Sequence, residues 1–404
     1  MSASSPEAVT STSAHADATP TLSKALVTFL AFCCGAIVAN LYYAQPIVEL
    51  IAPRIGLSPE HASLVVALTQ FGYAAGLLFL VPLADLMENK RLVIGFTLVV
   101  AVFLTAAGLA ESPSLFLIAS LMIGLTSVAV QILVPLAAHM APESSRGRVV
   151  GNIMSGLLIG ILLARPVSSL MSAYMGWRGV FFSAAVLMVV IAALVTVLLP
   201  ARMPTHHTTY GRLIGSVFGL ARQYAVLRER SLYQGLLFAS FSFFWTVVPI
   251  ELIRHHGFSQ NGVALFALVG AVGAIAAPIA GRLADAGHGN VSTLVALALA
   301  PAAMLVGAVP GLGYLGLVAA AIALDFAVQL NMVLGQREVY ALDPNSRARL
   351  NAVFMTSIFV GGAVGSMVAS PLYERLGWTT TLCSAAVIPA LALMVYLAKH
   401  MGKR

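Results

Sequence analysis

The chain alternates long apolar runs with short polar breaks. Runs near 25–50, 62–84, 92–110, 115–138, 149–172 and 179–199 form one set. Runs near 232–253, 261–283, 291–309, 313–336, 351–373 and 379–398 form a second. A helix needs roughly 20 apolar residues to cross a hydrocarbon core about 30 Å thick. Lipid offers no partner to backbone N–H and C=O groups, so runs of this length predict helices. The pattern predicts an all-α membrane protein of twelve transmembrane helices.

The polar breaks divide the chain. Residues 1–23 are rich in Ser, Thr and Ala and lack the basic start and apolar stretch of a signal peptide, which predicts a disordered cytoplasmic tail. Residues 24–199 hold the first six runs, and 232–398 hold the second six. Between them, 200–231 is a polar linker with five arginines, and its centre from Leu213 to Leu227 has the pattern of an amphipathic helix lying on the membrane surface. Residues 399–404 form a second cytoplasmic tail.

Orientation follows from the basic residues. With the N-terminus inside, the inner segments hold 17 Lys and Arg and the outer loops four, Arg54, Arg178, Arg254 and Arg375. An inside excess of this kind places both termini in the cytoplasm. The expected location is the inner (plasma) membrane, with multiple passes.

Composition strengthens this reading. The chain has 404 residues, 59% hydrophobic and 9% charged, and its mean hydropathy is +0.93. Soluble proteins carry about 25% charged residues. The net charge of +7 does not indicate nucleic acid, because the basic residues are spread through short loops rather than gathered on one face. Cys33, Cys34 and Cys383 lie in apolar runs without zinc or disulfide spacing. No Walker motif, metal-ligand spacing or Ser-His-Asp arrangement is visible, so no cofactor, metal or catalytic residue is expected.

The two sets echo each other. Leu83-Ala84-Asp85 recurs as Leu283-Ala284-Asp285, and Ala129-Val130-Gln131 as Ala327-Val328-Gln329. Arg146 and Arg148 recur as Arg347 and Arg349, Gly160 as Gly361, and Gly176-Trp177 as Gly377-Trp378. All the offsets lie near 200 residues, which makes the halves parallel repeats. This plan, with the Asp85, Lys90 and Arg91 motif between the second and third helices, resembles the major facilitator superfamily. Asn40 to Pro46, Gly160 to Pro166, Leu324 to Gln329 and Tyr340 to Asp343 resemble its bacterial twelve-helix drug:proton antiporter-like members. The resemblance implies two six-helix bundles that rock about a central site. The arginine that proton-coupled antiporters carry in the fourth helix falls at Ser120 here and is absent, and Ala164-Arg165-Pro166 replaces the usual Gly-Pro core of the fifth.

Candidate site residues follow from the cost of polarity at depth. Arg165 lies well inside the fifth helix, and Asp325 in the middle of the tenth. A charge at such depth costs several kcal/mol unless it is paired or hydrated. Arg165 is expected to meet an anionic group or to switch partners, and Asp325 to carry a proton or ion. Whether the two pair with each other is open from sequence. Asn40, Tyr43, Gln45, Gln70, Gln131, Trp245, Gln329 and Asn331 are the expected cavity residues; Asn40 and Tyr43 share a face if the first helix is regular. The resemblance implies a cytoplasmic gate of Asp85, Lys90, Arg91, Arg146, Arg148, Asp285, Arg347 and Arg349. Glu49, Glu251, Arg254, His255 and His256 are read as solvated helix ends.

The expected function is secondary active transport, with proton-coupled efflux of small organic molecules by alternating access. The alternative is uptake or facilitated flux of an organic anion, motivated by Arg165. A membrane enzyme would need clustered His or acidic residues at one face, and a non-transporting receptor would need a larger soluble domain than the linker allows. The expected partners are a small-molecule substrate, protons and the lipid bilayer around a monomer.

Overall fold

The computed structural model describes residues 23–203 and 209–401. The expected tails, apart from Ser23 and 399–401, and positions 204–208 of the linker lie outside the described residues. Every regular element described is a helix: α1 (Lys24–Ala39), α2 (Val48–Ile51), α3 (Leu64–Phe79), α4 (Asn89–Leu109), α5 (Pro113–Thr126), α6 (Val130–Met140), α7 (Arg146–Leu198), α8 (Tyr210–Gln223), α9 (Ala225–Arg254), α10 (Gln260–Ala267), α11 (Ala276–Asp285), α12 (Gly289–Gly307), α13 (Gly313–Ala341), α14 (Arg347–Ala385) and α15 (Val387–Met401), with short 3₁₀ segments between some of them.

Nine helical stretches among the described residues are long and apolar enough to cross a membrane. Two of them, Arg146–Leu198 and Arg347–Lys399, run for 53 residues each. A straight helix of that length would be about 80 Å long, far more than one bilayer. Each is broken in the middle by a glycine, Gly176 (φ 71°, ψ 167°) and Gly377 (φ 69°, ψ 173°), in a backbone region open essentially to glycine alone. Each long stretch therefore holds two passes. With α1 and its continuation to Ile51, the described residues make twelve passes.

The repeat read from sequence is also a repeat of geometry. Both breaks are the Gly-Trp pairs 201 positions apart. In the first half, Arg178 beside the break donates to the Gly108 and Ala110 carbonyls at the end of α4. In the second, the Trp378 indole donates to the Gly307 carbonyl at the end of α12. Close packing repeats too. A Cβ on Gly160 would collide with the backbone of Gly35, and a Cβ on Gly361 with the backbone of Gly235. Thus α1 lies against the first pass of α7 as α9 lies against α14, through small residues that let the backbones meet. Gly72, Gly76 and Gly124 do the same between α3 and α5.

The outer wall is apolar. Val197, Tyr174, Leu265 and Val102 are more than 60% exposed, a surface that suits lipid and not water. The linker contributes α8, whose Val217 and Leu220 are buried while Arg212, Phe218 and Arg222 are exposed. The Tyr210 hydroxyl donates to the Phe79 carbonyl, which ties α8 to the end of α3. One linker expectation is corrected. Arg230 is not a loop charge, because α9 starts at Ala225 and turns this side chain inward against Glu338 and Thr293. Below, the face bearing α8 is the linker face, and the opposite one is the far face.

Candidate functional site

The contact of Gly160 with Gly35 brings α7 against the end of α1, and Arg165 follows a little more than one helical turn later. There α1 has already ended. Residues 40–44 form a turn and Gln45–Ile47 a 3₁₀ segment. Pro46 supplies no N–H and crowds the preceding turn, so a regular helix cannot continue through it. This changes the expected face. Tyr42, not Tyr43, meets Arg165, and Gln45 lies beside it. Tyr43 instead joins a lateral groove lined by Phe32, Ile159 and Leu163, with its carbonyl accepting from Ser168 at 2.5 Å.

Arg165 is only 5% exposed. Its Nε donates to Gln45 Oε1 at 2.7 Å. Its guanidinium carbon lies 5.0 Å from the Tyr42 ring centre, 5.0 Å from Phe241 and 4.8 Å from Trp245. Its Nη2 is buried with no partner among the described residues. Asp325, 7% exposed on α13, accepts from the Trp245 indole N–H at 2.8 Å. No ion pair joins Arg165 and Asp325 among the described residues. Trp245 stands between them, offering its face to the cation and its N–H to the carboxylate. Gly270 and Gly273 make room for this, since a Cβ on either would press on the Asp325 side chain.

Hydrogen bonds extend the site across the two halves. Gln45 Nε2 donates to Thr246 Oγ at 3.4 Å, and Thr246 lies 3.2 Å from Ser366 Oγ. Gln70 on α3 donates to Ser242 on α9 at 2.8 Å. Of the expected cavity residues, Gln45 and Trp245 thus meet Arg165 or Asp325, and Gln70 is linked to them through Ser242 and Thr246. The others lie elsewhere. Asn40 turns to Ile37 and to Met188 in the second pass of α7. Gln131 donates to Tyr73 within the first half. Asn331 donates to Gln234 within the second, and Gln329 is half-buried. Tyr42, which stands in the polar run 40–45 but off the expected helical face, and Phe241, Ser242 and Thr246 are not among the expected cavity residues. Ser242 and Thr246 resemble ordinary helix-tolerant residues, and the Phe241 ring resembles packing; Gln234, also not among them, carried a signal, an amide inside an apolar run.

Comparison with known proteins bears on this arrangement. The sequence profile described as Major Facilitator Superfamily matches residues 26–341 and, in a second match, 231–402. This chain belongs to the major facilitator superfamily. It is 39% identical to the uncharacterized transporter YgaY of Escherichia coli O157:H7 over 93% of this chain and 95% of that protein. It is 31% identical to the probable transporter SCO4007 of Streptomyces coelicolor over 86% of this chain and 81% of that one. Two solved superfamily-like structures share the fold. A POT family transporter superposes with a TM-score of 0.73 at 12% identity, covering 92% of this chain and 94% of its own. The nucleoside transporter NupG gives 0.71 at 16% identity, covering 92% and 97%. The chain is therefore a membrane transporter of the superfamily type, with an all-α fold.

Within this superfamily fold, the two faces differ. On the far face the halves are stitched together. Arg254 of α9 binds both carboxylate oxygens of Glu49 on α2, each at 2.9 Å, and Glu374 at 2.7 Å. Arg375 reaches Glu60 at 3.3 Å, and Ser169 donates to the Gln260 carbonyl at 2.9 Å. Glu251, 6% exposed, accepts from Tyr373 at 2.7 Å and lies 2.9 Å from His255 Nδ1. The reading of Glu251 as a solvated end is thereby corrected, since Tyr373 of α14 covers it, while Glu49 and Arg254 keep solvent access and pair across the halves. His255 keeps more solvent access than Arg254. On the linker face, the expected gate residues keep to their own halves. Arg91 pairs with Glu88 and Asp285 with Arg337. Arg146 and Arg347 cap the carbonyls of Ala138 and Tyr340, and Arg349 bonds to Ser346. Asp85 and Arg148 are exposed, and Lys90 is partly so.

Proposed function

We propose that this protein is a proton-coupled secondary transporter that exports small organic molecules, drug:proton antiporter-like in mechanism. Its halves, 24–199 and 232–398 joined by the linker 200–231, rock about the Arg165–Trp245–Asp325 cluster, with both termini on the cytoplasmic side of the inner membrane. The far-face contacts then form the outer seal, and the linker-face charges form the inner gate in its parted arrangement. Asp325 carries the proton, Arg165 and its neighbours face the cargo, and the working unit is one chain.

The observation that carries this reading is the position of the two buried charges. Arg165 and Asp325 come from opposite halves, and each pays the cost of depth without neutralising the other. A carboxylate held by one indole N–H can gain or lose a proton without breaking an ion pair. Among the described residues, ion pairs that join the halves at one face and not the other fit one end state of a two-state rocking protein.

The test is counterflow in proteoliposomes against a panel of compounds, with and without a pH gradient. The expected result is gradient-driven flux in the wild type. In Asp325→Asn the gradient-driven part disappears, while exchange of cargo for cargo persists. Flux that ignores both the gradient and Asp325→Asn would overturn proton coupling through this residue.

A further inference from the structure

We infer that the cargo of this site is a small organic carboxylate with an aromatic body, bound through Arg165. This rests on the transporter reading above and names its substrate class.

Arg165 has unused hydrogen-bonding capacity. A guanidinium carries five N–H donors in a planar fork. In Arg165 one donor, Nε, is used by Gln45, and Nη2 is buried with none. The nearest buried carboxylate, Asp325, is held by Trp245 instead. Aromatic faces stabilise the cation, but they leave in-plane donors unsatisfied. A planar group with two oxygens and a negative charge matches such a fork. An amide offers a single acceptor and no charge, and an ammonium is repelled.

The body of the cargo follows from what surrounds the fork. Tyr42 stands beside Arg165 on the same half, whereas Phe241 and Trp245 come from α9 on the other. Phe238 stacks on Phe241 with centres 5.2 Å apart, and Phe266 packs edge-on against Trp245 at 5.9 Å. When the halves rock apart around Arg165, the α9 rings withdraw from the guanidinium and leave a gap between an arginine and an aromatic wall. A carboxylate with an aromatic body fills that gap, its charge on Arg165 and its ring on Tyr42 or Phe241. In the closed arrangement the protein's own rings take the same place.

The experiment uses the purified full chain in detergent, with tritiated benzoate as probe and equilibrium binding as readout. Benzamide, benzylamine and acetate are the competitors; they change the charge or remove the ring. The expected result is saturable benzoate binding that neither benzamide nor benzylamine displaces, with acetate at least about tenfold weaker. Arg165→Gln should weaken benzoate by about tenfold or more, and Arg165→Lys by less, because it keeps the charge and loses only the fork. Unchanged melting of both variants shows that they are folded; if Arg165→Gln does not fold, Arg165→Lys and the competitor series still decide. The inference is overturned if benzamide or benzylamine competes as well as benzoate. It is equally overturned if Arg165→Gln binds benzoate like the wild type, or if none binds at about 10 mM. Should another compound move on the pH gradient through Asp325 while benzoate does not bind, the cargo class is wrong and the transporter reading stands.

Discussion

Two arginines of this chain are buried to the same extent, each 5% exposed, and their surroundings are opposite. Arg230 has a partner at each of its three nitrogens. Its Nε donates to Glu338 Oε2 at 2.7 Å, its Nη2 meets the other oxygen of Glu338, and its Nη1 donates to Thr293 at 2.9 Å. Arg165 has one amide, three ring faces and a donor with nothing to hold. Burial alone therefore does not mark a functional charge. What separates the two is whether each nitrogen of the fork has a partner. Arg230 belongs wholly to the second half and clamps α9 to α12 and α13. Arg165 lies where the halves meet, and rocking would change its surroundings.

The largest effect should come from stranding Arg230. Glu338→Ala leaves Arg230 buried with Thr293 alone, and deleting one partner of a buried pair typically costs about 3–5 kcal/mol. Glu338 is partly exposed, at 41% of its side chain, so the lower end of that range is expected. Arg165→Leu should behave differently. It removes a desolvated cation and keeps apolar contact with the rings, so stability should stay within about 1 kcal/mol of the parent while flux is lost. Thermal melting of the two variants in one detergent checks this. Equal destabilisation would erase the distinction between the two arginines.

A smaller effect sharpens the role of Trp245. Trp245→Phe keeps a ring beside Arg165 and removes the N–H that holds Asp325. A hydrogen bond to a charged group is worth about 1.5–3 kcal/mol. The freed carboxylate should then turn toward Arg165 and form an ion pair with it. The expected signature is loss of proton-driven flux with little change in melting, and distance measurement by spectroscopy or crystallography would show the new pair. If coupling survives in Trp245→Phe, the indole is packing and no more.

The fold was legible because lipid simplifies the code. Long apolar runs, basic loops and a 200-residue echo were enough to expect twelve passes in two halves, and the Gly-Trp echo marks the same positive-φ corner twice. The charged members of the site were legible for the same reason, since Arg165 and Asp325 stand out in apolar helices. What they touch was not. Tyr42 against Tyr43 depended on where α1 gives way to a turn and a 3₁₀ segment, and helical spacing fails there. Whether Arg165 met Asp325 or an aromatic face depended on Trp245, whose sequence signature is that of any core ring. The far-face contacts were read as solvated ends because a charge at a helix end looks the same whether water or another helix covers it.

The far face offers the mildest test of the comparison, because it concerns the equilibrium around Arg165 rather than its chemistry. Arg254 holds Glu49 by two bonds, the strongest geometry for such a pair, yet both side chains keep some solvent access, at 31% and 19%. Pairs of this kind contribute about 0.2–1 kcal/mol. Glu49→Gln should therefore shift the balance toward far-face opening by only a few-fold. It removes the charge and leaves Glu374 to hold Arg254 within the second half. A spin-label pair across the far face would read the shift as a larger open fraction, reduced in size at high salt because screening weakens the wild-type pair. An open fraction identical in wild type and Glu49→Gln at low salt would mean that the seal rests on the remaining contacts between the halves: Arg375–Glu60, Ser169–Gln260, Gln45–Thr246, Gln70–Ser242 and the aromatic contacts around Arg165. The caged arginine would then be part of the lock as well as of the site.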